Sequence, residues 1–337
     1  MGPESFVVDS VLLSALVFLV GVGVVLVSVE KFIEYVAEAA LHFGVSAFLL
    51  TVLFAGADIE NAALALAAMG GDLPDVALGV VLGVGVFVLT FTVGLAGVLT
   101  PFEVSTPRPY LAITLASPTL VLVLSLDGTL SRMDGAVLFV AYLPILLLLY
   151  RWETSGETRY FDDEGLEAEF RADRETGETA STNPRSSTLR AKLLALVLVF
   201  ATVVGMTIGA EATVIGARGL LAASGLSGLA FGATILAVIA SLEEILLTVE
   251  PVRRNRPEIG VGNVIGSVLF FVTANVGVIA LVRPITVTQA VFSIHWPFLV
   301  GSLLVVLALF YRGEVTRAGG TLLLLLYGAY WLAIYVL

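Results

Sequence analysis

The chain has 337 residues, 58% hydrophobic and 13% charged, with mean hydropathy +1.02 and a formal charge of -11, which excludes an ordinary soluble domain, typically about half apolar and a quarter charged. With 17 basic against 28 acidic residues and no Lys/Arg block, nucleic acid is excluded as a partner, because nothing neutralises phosphates. Cysteine is absent, which removes disulfides, thiolate metal sites and cysteine nucleophiles. Only Lys31 and Lys192 are lysines, and this arginine bias with an acid excess suits a halophilic source.

Apolar runs of about 20 residues, the length that carries an α-helix across a bilayer, predict ten spans, at 10–29, 35–69, 74–100, 109–126, 133–150, 191–217, 226–249, 259–282, 290–311 and 318–337. The first follows Pro3-Glu4-Ser5 rather than a basic stretch and is too long for a cleaved leader, so it is expected to remain as a helix. Continuous apolar runs also exclude a transmembrane β-barrel, whose strands alternate in polarity. Residues 151–190 carry ten acidic and six basic side chains and are expected to form a solvated linker, helical around Glu164–Phe170. The domain reading is therefore a five-helix unit over 1–150, the charged linker 151–190, and a second five-helix unit over 191–337.

With the N-terminus outside, cytoplasmic loops hold 14 Lys/Arg and external loops only Arg132, Arg218 and Arg283. The linker is then cytoplasmic and both termini are external. Because each half has an odd number of spans, the second half enters from the opposite side, so the halves are inverted.

Those halves match at a constant offset of 183: Thr51 on Thr234, Glu60 on Glu243, Asn61 on Glu244, Asp75 on Glu258, Gly79 on Gly262, Gly83 on Gly266 and Thr90 on Thr273. With a small gap, Gly44-Val45-Ser46 falls on Gly225-Leu226-Ser227. Inverted repeats are a transporter architecture whose sites form near the membrane midplane at broken helices. The second span is too long for one straight crossing and contains Gly56-Ala57-Asp58-Ile59-Glu60-Asn61, so it is expected to be broken there.

The second half carries Gly209-Ala210, Gly216-Ala217, Gly225-Leu226-Ser227, Ala240-Ser241-Leu242-Glu243-Glu244 and Gly262-Asn263-Val264-Ile265-Gly266-Ser267. The first carries Gly44-Val45-Ser46, the Gly56–Asn61 segment and Gly79-Val80-Val81-Leu82-Gly83-Val84-Gly85. With these motifs the chain resembles the calcium/cation antiporter superfamily, which includes sodium/calcium and proton/calcium exchangers. The resemblance implies an all-α, ten-span membrane protein of two inverted five-helix repeats, working as a secondary active antiporter by alternating access. It implies no cofactor, inorganic cations (Ca2+, with Na+ or H+) as the transported species, and a bilayer as the surroundings; it does not fix an oligomeric state. The family's essential glutamate falls on Glu244 in the second repeat and on Asn61 in the first. Its serine survives as Ser267 but is Val84 in the first repeat, and its next ion-binding positions are Val88 and Phe271.

A hard cation leaving water needs several oxygen ligands. Glu60, Glu243 and Glu244 are the candidate carboxylates, with Asn61, Ser267, Asp58, Ser241 and Asn275 as further ligands. Adjacent residues on a straight helix point about 100° apart, so Glu243 and Glu244 share an ion only if the helix unwinds there. Ser267 and Asn275 are eight residues apart, on one face with Phe271 between; Thr92 is the repeat mate of Asn275, so the polar ligand has moved one turn from the family position. No Lys or Arg lies inside either polar segment, and intramembrane acids are functional by default, so ion or proton binding is preferred to helix cementing, and crowded carboxylates allow a proton to replace a cation.

Isolated His42 and His295 read as packing or interfacial residues, Glu30, Glu34 and Glu38 as a solvated face, and Arg253-Arg254-Asn255-Arg256 as an inside-topology signal with anionic lipid contact as the alternative. No nucleophile with a positioned base and no phosphate-binding loop is visible, so an enzyme is not expected. The alternatives are a carrier or channel for a different cation, and a non-transporting homologue serving as membrane sensor or scaffold through the linker.

Overall fold

The computed structural model describes residues 11–42, 59–154 and 189–336. Helices dominate because an apolar chain in lipid must satisfy every backbone N–H and C=O internally. In chain order they are α1 (Val11–His42), α2 (Ile59–Gly70), and α3 (Pro74–Phe87), which passes through a π turn at Val88–Thr92 into α4 (Val93–Leu99). Next come α5 (Arg108–Leu124) and α6 (Arg132–Thr154). After the linker follow α7 (Leu189–Ser224), α8 (Gly228–Phe231), a π turn at Gly232–Leu236 and α9 (Ala237–Ala240), then α10 (Leu242–Arg253). The remainder is α11 (Pro257–Phe270), a π turn at Phe271–Asn275, α12 (Val276–Val282), a π turn at Val291–His295, α13 (Trp296–Arg312) and α14 (Arg317–Val336).

Among the described residues seven helices are long and apolar enough to span a membrane, or eight if the pair Gly228–Ala240 and Leu242–Arg253, bent by 48°, counts as one broken span. Helices α2 and α5 are apolar but shorter. The connection expected at residues 30–34 between the first two spans is helical instead: α1 continues through it to His42. The segment Ser28–His42 holds no Gly or Pro and has three Glu and three Ala, so nothing in it stops a helix. Likewise α7 runs past the expected end at 217 to Ser224, where Gly225 at φ +67° turns the chain. The expected linker helix around Glu164–Phe170 and the break at Gly56–Asp58 lie outside the described residues.

The core is a pair of 26-residue helices, Pro74–Leu99 and Pro257–Val282, 94% and 89% buried, whereas Arg132–Leu149 and Arg317–Val336 are each 17% buried and turn apolar faces outward. Each core helix starts with Pro in its first turn followed by an acid, Asp75 or Glu258; Pro costs nothing there and the acid complements the positive helix end. The start of one lies beside the finish of the other: Asp72, preceding α3, hydrogen-bonds Arg283, which follows α12. The two helices are therefore antiparallel.

Matched positions recur in pairs. The turns before α3 and α11 both carry a non-glycine residue at positive φ, Asp72 (61°) and Asn255 (60°). The strand β1 (Phe102–Glu103) pairs with β4 (Glu314–Val315), and β2 (Thr129–Leu130) with β3 (Ile285–Thr286). Ahead of β2 and β4 stand Gly128 and Gly313, both at φ +84°, a left-handed conformation that a side chain resists. Close packing repeats too: α4 meets α14 at Gly94 and Gly320, and α12 meets α6 at Gly277 and Gly135. A Cβ on Gly94 would stand 2.9 Å from Gly320 O, and one on Gly277 would stand 2.9 Å from Gly135 O. Small residues let membrane helices pack backbone to backbone.

The end of the molecule bearing β2 and β3 gathers the three arginines that the sequence assigns to the outside. Arg132 donates to Val282 O at 3.2 Å, Arg218 donates to Gly71 O, and Arg283 pairs with Asp72. The Arg283 hydrogen bond and charge hold the Asp72 carboxyl below the usual range, with Arg218 adding to the effect. The pair is solvent-exposed, with 50% and 74% of the two side chains accessible, so it orients the ends of the core helices more than it stabilises them. At the opposite end Glu250 pairs with Arg253 and Arg254, and Arg108 lies over the Tyr311 ring.

The Gly277 contact is testable. Gly277→Ala places a methyl group against Gly135 O and Phe139 N and is expected to cost about 1–3 kcal/mol by overpacking. Gly301→Ala, where a Cβ meets nothing within 4 Å, should leave the thermal midpoint unchanged or raise it. Equal behaviour of the two variants would contradict the packing described.

Candidate functional site

The site forms where the helix running from Gly228 breaks. Ser241 leaves helical geometry at φ -105°, ψ 14°, and α10 begins at Leu242, so its first-turn N–H groups and their positive dipole end lie inside the bundle. Glu243 and Glu244 both fall in that first turn. The break lies before them rather than between them, so they diverge as neighbours on a helix do: Glu244 is buried, at 4% exposure, and Glu243 is exposed.

Glu244 is held by α11. Asn263 Nδ2 donates to Glu244 Oε2 at 2.5 Å and Ser267 Oγ donates to Glu244 Oε1 at 3.1 Å. Asn263 Nδ2 also donates to Thr248 Oγ1 at 3.4 Å. The spacing explains the fit: 244 and 248 share one helix face, 263 and 267 share the other, and two ridges four residues long interlock. A carboxylate out of water needs such charge-assisted donors.

From the first half, Asn61 in the first turn of α2 is fully buried and donates to Ala240 O at 3.4 Å, the carbonyl just before the break. This joins the two halves at the site. Glu60 precedes it in the same turn, but its side chain, like all of Asp58, lies outside the described residues. Ser241 is buried, and among the described residues its Oγ has no hydrogen-bond partner. Among the described residues no three His, Asp or Glu side chains converge on one point; an amide and a hydroxyl meet Glu244 there.

The π turns settle how Ser267 and Asn275 relate. Eight residues along a straight helix leave two side chains about 80° apart; the extra residue of the π turn at Phe271–Asn275 reduces this to about 20°. Thr273 bonds back to Leu269 O, and its mate Thr90 bonds to Val86 O at 2.5 Å, so these hydroxyls serve backbone carbonyls. Asn275 and Thr92, which end the two π turns, are buried, and among the described residues neither amide atom of Asn275 nor Thr92 Oγ1 has a partner.

Asn263 and Thr248 were not selected from sequence. The signal was available in the i, i+4 spacing of Asn263 and Ser267 within one motif. Their repeat mates are Val80, Val84 and Ala65 for Asn263, Ser267 and Thr248, so the first half supplies no side-chain donors at the matching places. His295 is buried with Nδ1 2.7 Å from Tyr330 Oη, consistent with a packing role. His42 ends α1. Glu30 is exposed, and the side chains of Glu34 and Glu38 lie outside the described residues.

A family model described as Sodium/calcium exchanger protein matches residues 13–151 and 194–336, one stretch in each half. The chain is 26% identical over 286 residues to Inner membrane protein YrbG of Escherichia coli (strain K12), covering 84% of each protein. It is 26% identical over 282 residues to Putative antiporter CaxA of Alkalimonas amylolytica, covering 81% of this chain and 82% of that one. Among solved structures, the sodium-calcium exchanger NCX_Mj soaked with 2.5 mM Na+ and 0.1 mM Ca2+ aligns with a TM-score of 0.56 at 23% identity, over 97% of this chain and 99% of that one. The same exchanger soaked with 100 mM Na+ and 10 mM Sr2+ gives 0.55 at 22% identity, over 97% and 99%; at this identity the likeness shows the fold. The two-part match to the family model, over most of its length, places the chain in the sodium/calcium exchanger family, whose members are integral membrane cation exchangers and not enzymes.

Proposed function

We propose that the chain is a secondary active antiporter of ten spans in two inverted five-helix repeats, exchanging Ca2+ or another inorganic cation against Na+ or H+ by alternating access. The observation that carries this reading is Glu244, a carboxylate buried at a helix break in the bundle and held by Asn263 and Ser267. An intramembrane acid at a broken helix is the hallmark of a transported-ion site. Glu244 is assigned as the principal ion carboxylate, with Asn61, Ser267 and Ser241 as neutral ligands. Glu60 and Asp58 are retained as ligands contributed by the first half. Glu243, exposed beside Glu244, is assigned to attracting the cation rather than to coordinating it.

The antiparallel core helices and the paired positions at offset 183 support the inverted arrangement. The same geometry supports the sidedness read from sequence, with Arg132, Arg218 and Arg283 at the external end and the linker and Arg253–Arg256 at the cytoplasmic end.

A carrier for a cation other than Ca2+ is favoured by one observation. The first half places Val80, Val84 and Ala65 where the second places Asn263, Ser267 and Thr248, and fewer oxygens suit an ion of lower charge or coordination number.

Reconstituted into liposomes, the protein is expected to take up calcium-45 against an outward Na+ or H+ gradient, and Glu244→Gln to abolish that uptake while the variant remains folded. Uptake unchanged in Glu244→Gln would refute the residue assignment. Because the chain has no cysteine, single cysteines at Asp127 and Asn255 report topology: an impermeant maleimide should label the first only from outside and the second only from inside. Labelling of both from one side would refute the inverted arrangement.

A further inference from the structure

Two side chains remain whose chemistry the Glu244 cluster does not use. Among the described residues, Asn275 is 1% exposed with neither Nδ2 nor Oδ1 bonded, and Thr92 is fully buried with Oγ1 unbonded. An unsatisfied buried polar group costs free energy and calls for an explanation, all the more within a membrane, where water does not compensate. Both occupy one place in the fold, the last residue of the π turn of a core helix, at positions 183 apart. Such turns concentrate at functional sites. Neighbouring hydroxyls show that satisfaction was available: Thr90 and Thr273, two residues earlier, bond to backbone carbonyls.

Their placement gives them a direction. The π turn aligns Asn275 with Ser267, which touches Glu244, so Asn275 lies on the same helix face about 10 Å along the axis toward the Asp72–Arg283 end. The helix that continues beyond Asn275, α12, packs against α2, which carries Asn61. By the matching relation Thr92 shares a face with Val84 and lies toward the opposite end, and its π turn packs against α10, the helix of Glu244. With Asp72 beside Arg283 in antiparallel core helices, Thr92 stands level with Asn263, at the depth of the Glu244 cluster, whereas Asn275 lies between that cluster and the Arg283 end.

We propose that Asn275 is a way station for the transported cation, offering its amide oxygen to a partly dehydrated ion moving between Glu244 and the face bearing Arg283, while Thr92 Oγ1 serves the ion at the Glu244 site itself. The inference rests on the cation-transport reading above and adds to it a neutral ligand at the site and a one-sided step on the route away from it.

The test uses right-side-out and inside-out vesicles containing the full chain, with calcium-45 as probe and KM measured separately at each face. Asn275→Leu is expected to raise KM about tenfold at the Arg283 face only, and Thr92→Val to raise it at both faces. Asn275→Thr, which installs the hydroxyl used by the other half, should keep most of the affinity. Because the removed groups have no partners, the thermal midpoint of both apolar variants should be unchanged or higher, which separates a transport role from a structural one. For Asn275→Leu an unchanged KM at both faces or an equal rise at both, for Thr92→Val an unchanged KM or a rise at one face only, and for either a fall in thermal midpoint with the loss, would overturn the proposal. Absence of uptake by the unmodified protein under any gradient would instead remove the transport reading beneath it, and is distinguishable because no variant is involved.

Discussion

Placing one carboxylate inside a membrane-embedded bundle sets the requirements that the surrounding structure meets. A charge removed from water must be matched by donors and by favourable dipoles, and the chain meets that demand locally. The helix breaks at Ser241, so a fresh helix start, with its positive end, coincides with Glu244. Helix α11 brings Asn263 and Ser267 within hydrogen-bond reach, and Gly260 lets it approach close to Thr248. Asn61 then joins α2 to the carbonyl that precedes the break. The remaining architecture, with two antiparallel buried core helices wrapped by lipid-facing ones, keeps this cluster sealed while leaving matched seams between the halves.

The pairing of elements has a further consequence. Each half lends its connections to the other: β1 joins β4 and β2 joins β3, while Gly94 meets Gly320 and Gly277 meets Gly135. The halves are thus interlocked at both membrane faces, yet polar chemistry is concentrated in the second. Val80, Val84 and Ala65 stand opposite Asn263, Ser267 and Thr248. Equivalent backbones with unequal side chains suit the proposed alternating access, for which paired geometry is a symmetric frame, while Asn263, Ser267 and Thr248 belong to the second half alone.

Much of this was legible in the sequence because hydrophobic length and the offset of 183 are one-dimensional signals. The core helices, expected at 74–100 and 259–282, and Glu244 as an intramembrane acid follow from apolar runs with a polar interruption, whereas a break in the seventh span enters only as the condition for Glu243 and Glu244 to share an ion. Helix ends were less legible: α1 and α7 overrun the expected ends because the charged and small residues there are good helix formers, and hydropathy does not distinguish a helix leaving the membrane from a helix stopping. Side-chain orientation was hidden as well. Which of Glu243 and Glu244 faces inward depends on where the helix restarts, and the alignment of Ser267 with Asn275 depends on a π turn that composition does not announce. Asn263 was overlooked because its importance lies in a contact with a helix about 20 residues away.

The central claim is that the cation sits on the Glu244 carboxylate. Diffraction from crystals soaked in Sr2+ tests it most directly, since the ion scatters anomalously. The account predicts a peak within about 3 Å of a Glu244 Oε, absent from Glu244→Gln crystals. A peak elsewhere in the bundle, or one that persists in Glu244→Gln, would contradict it.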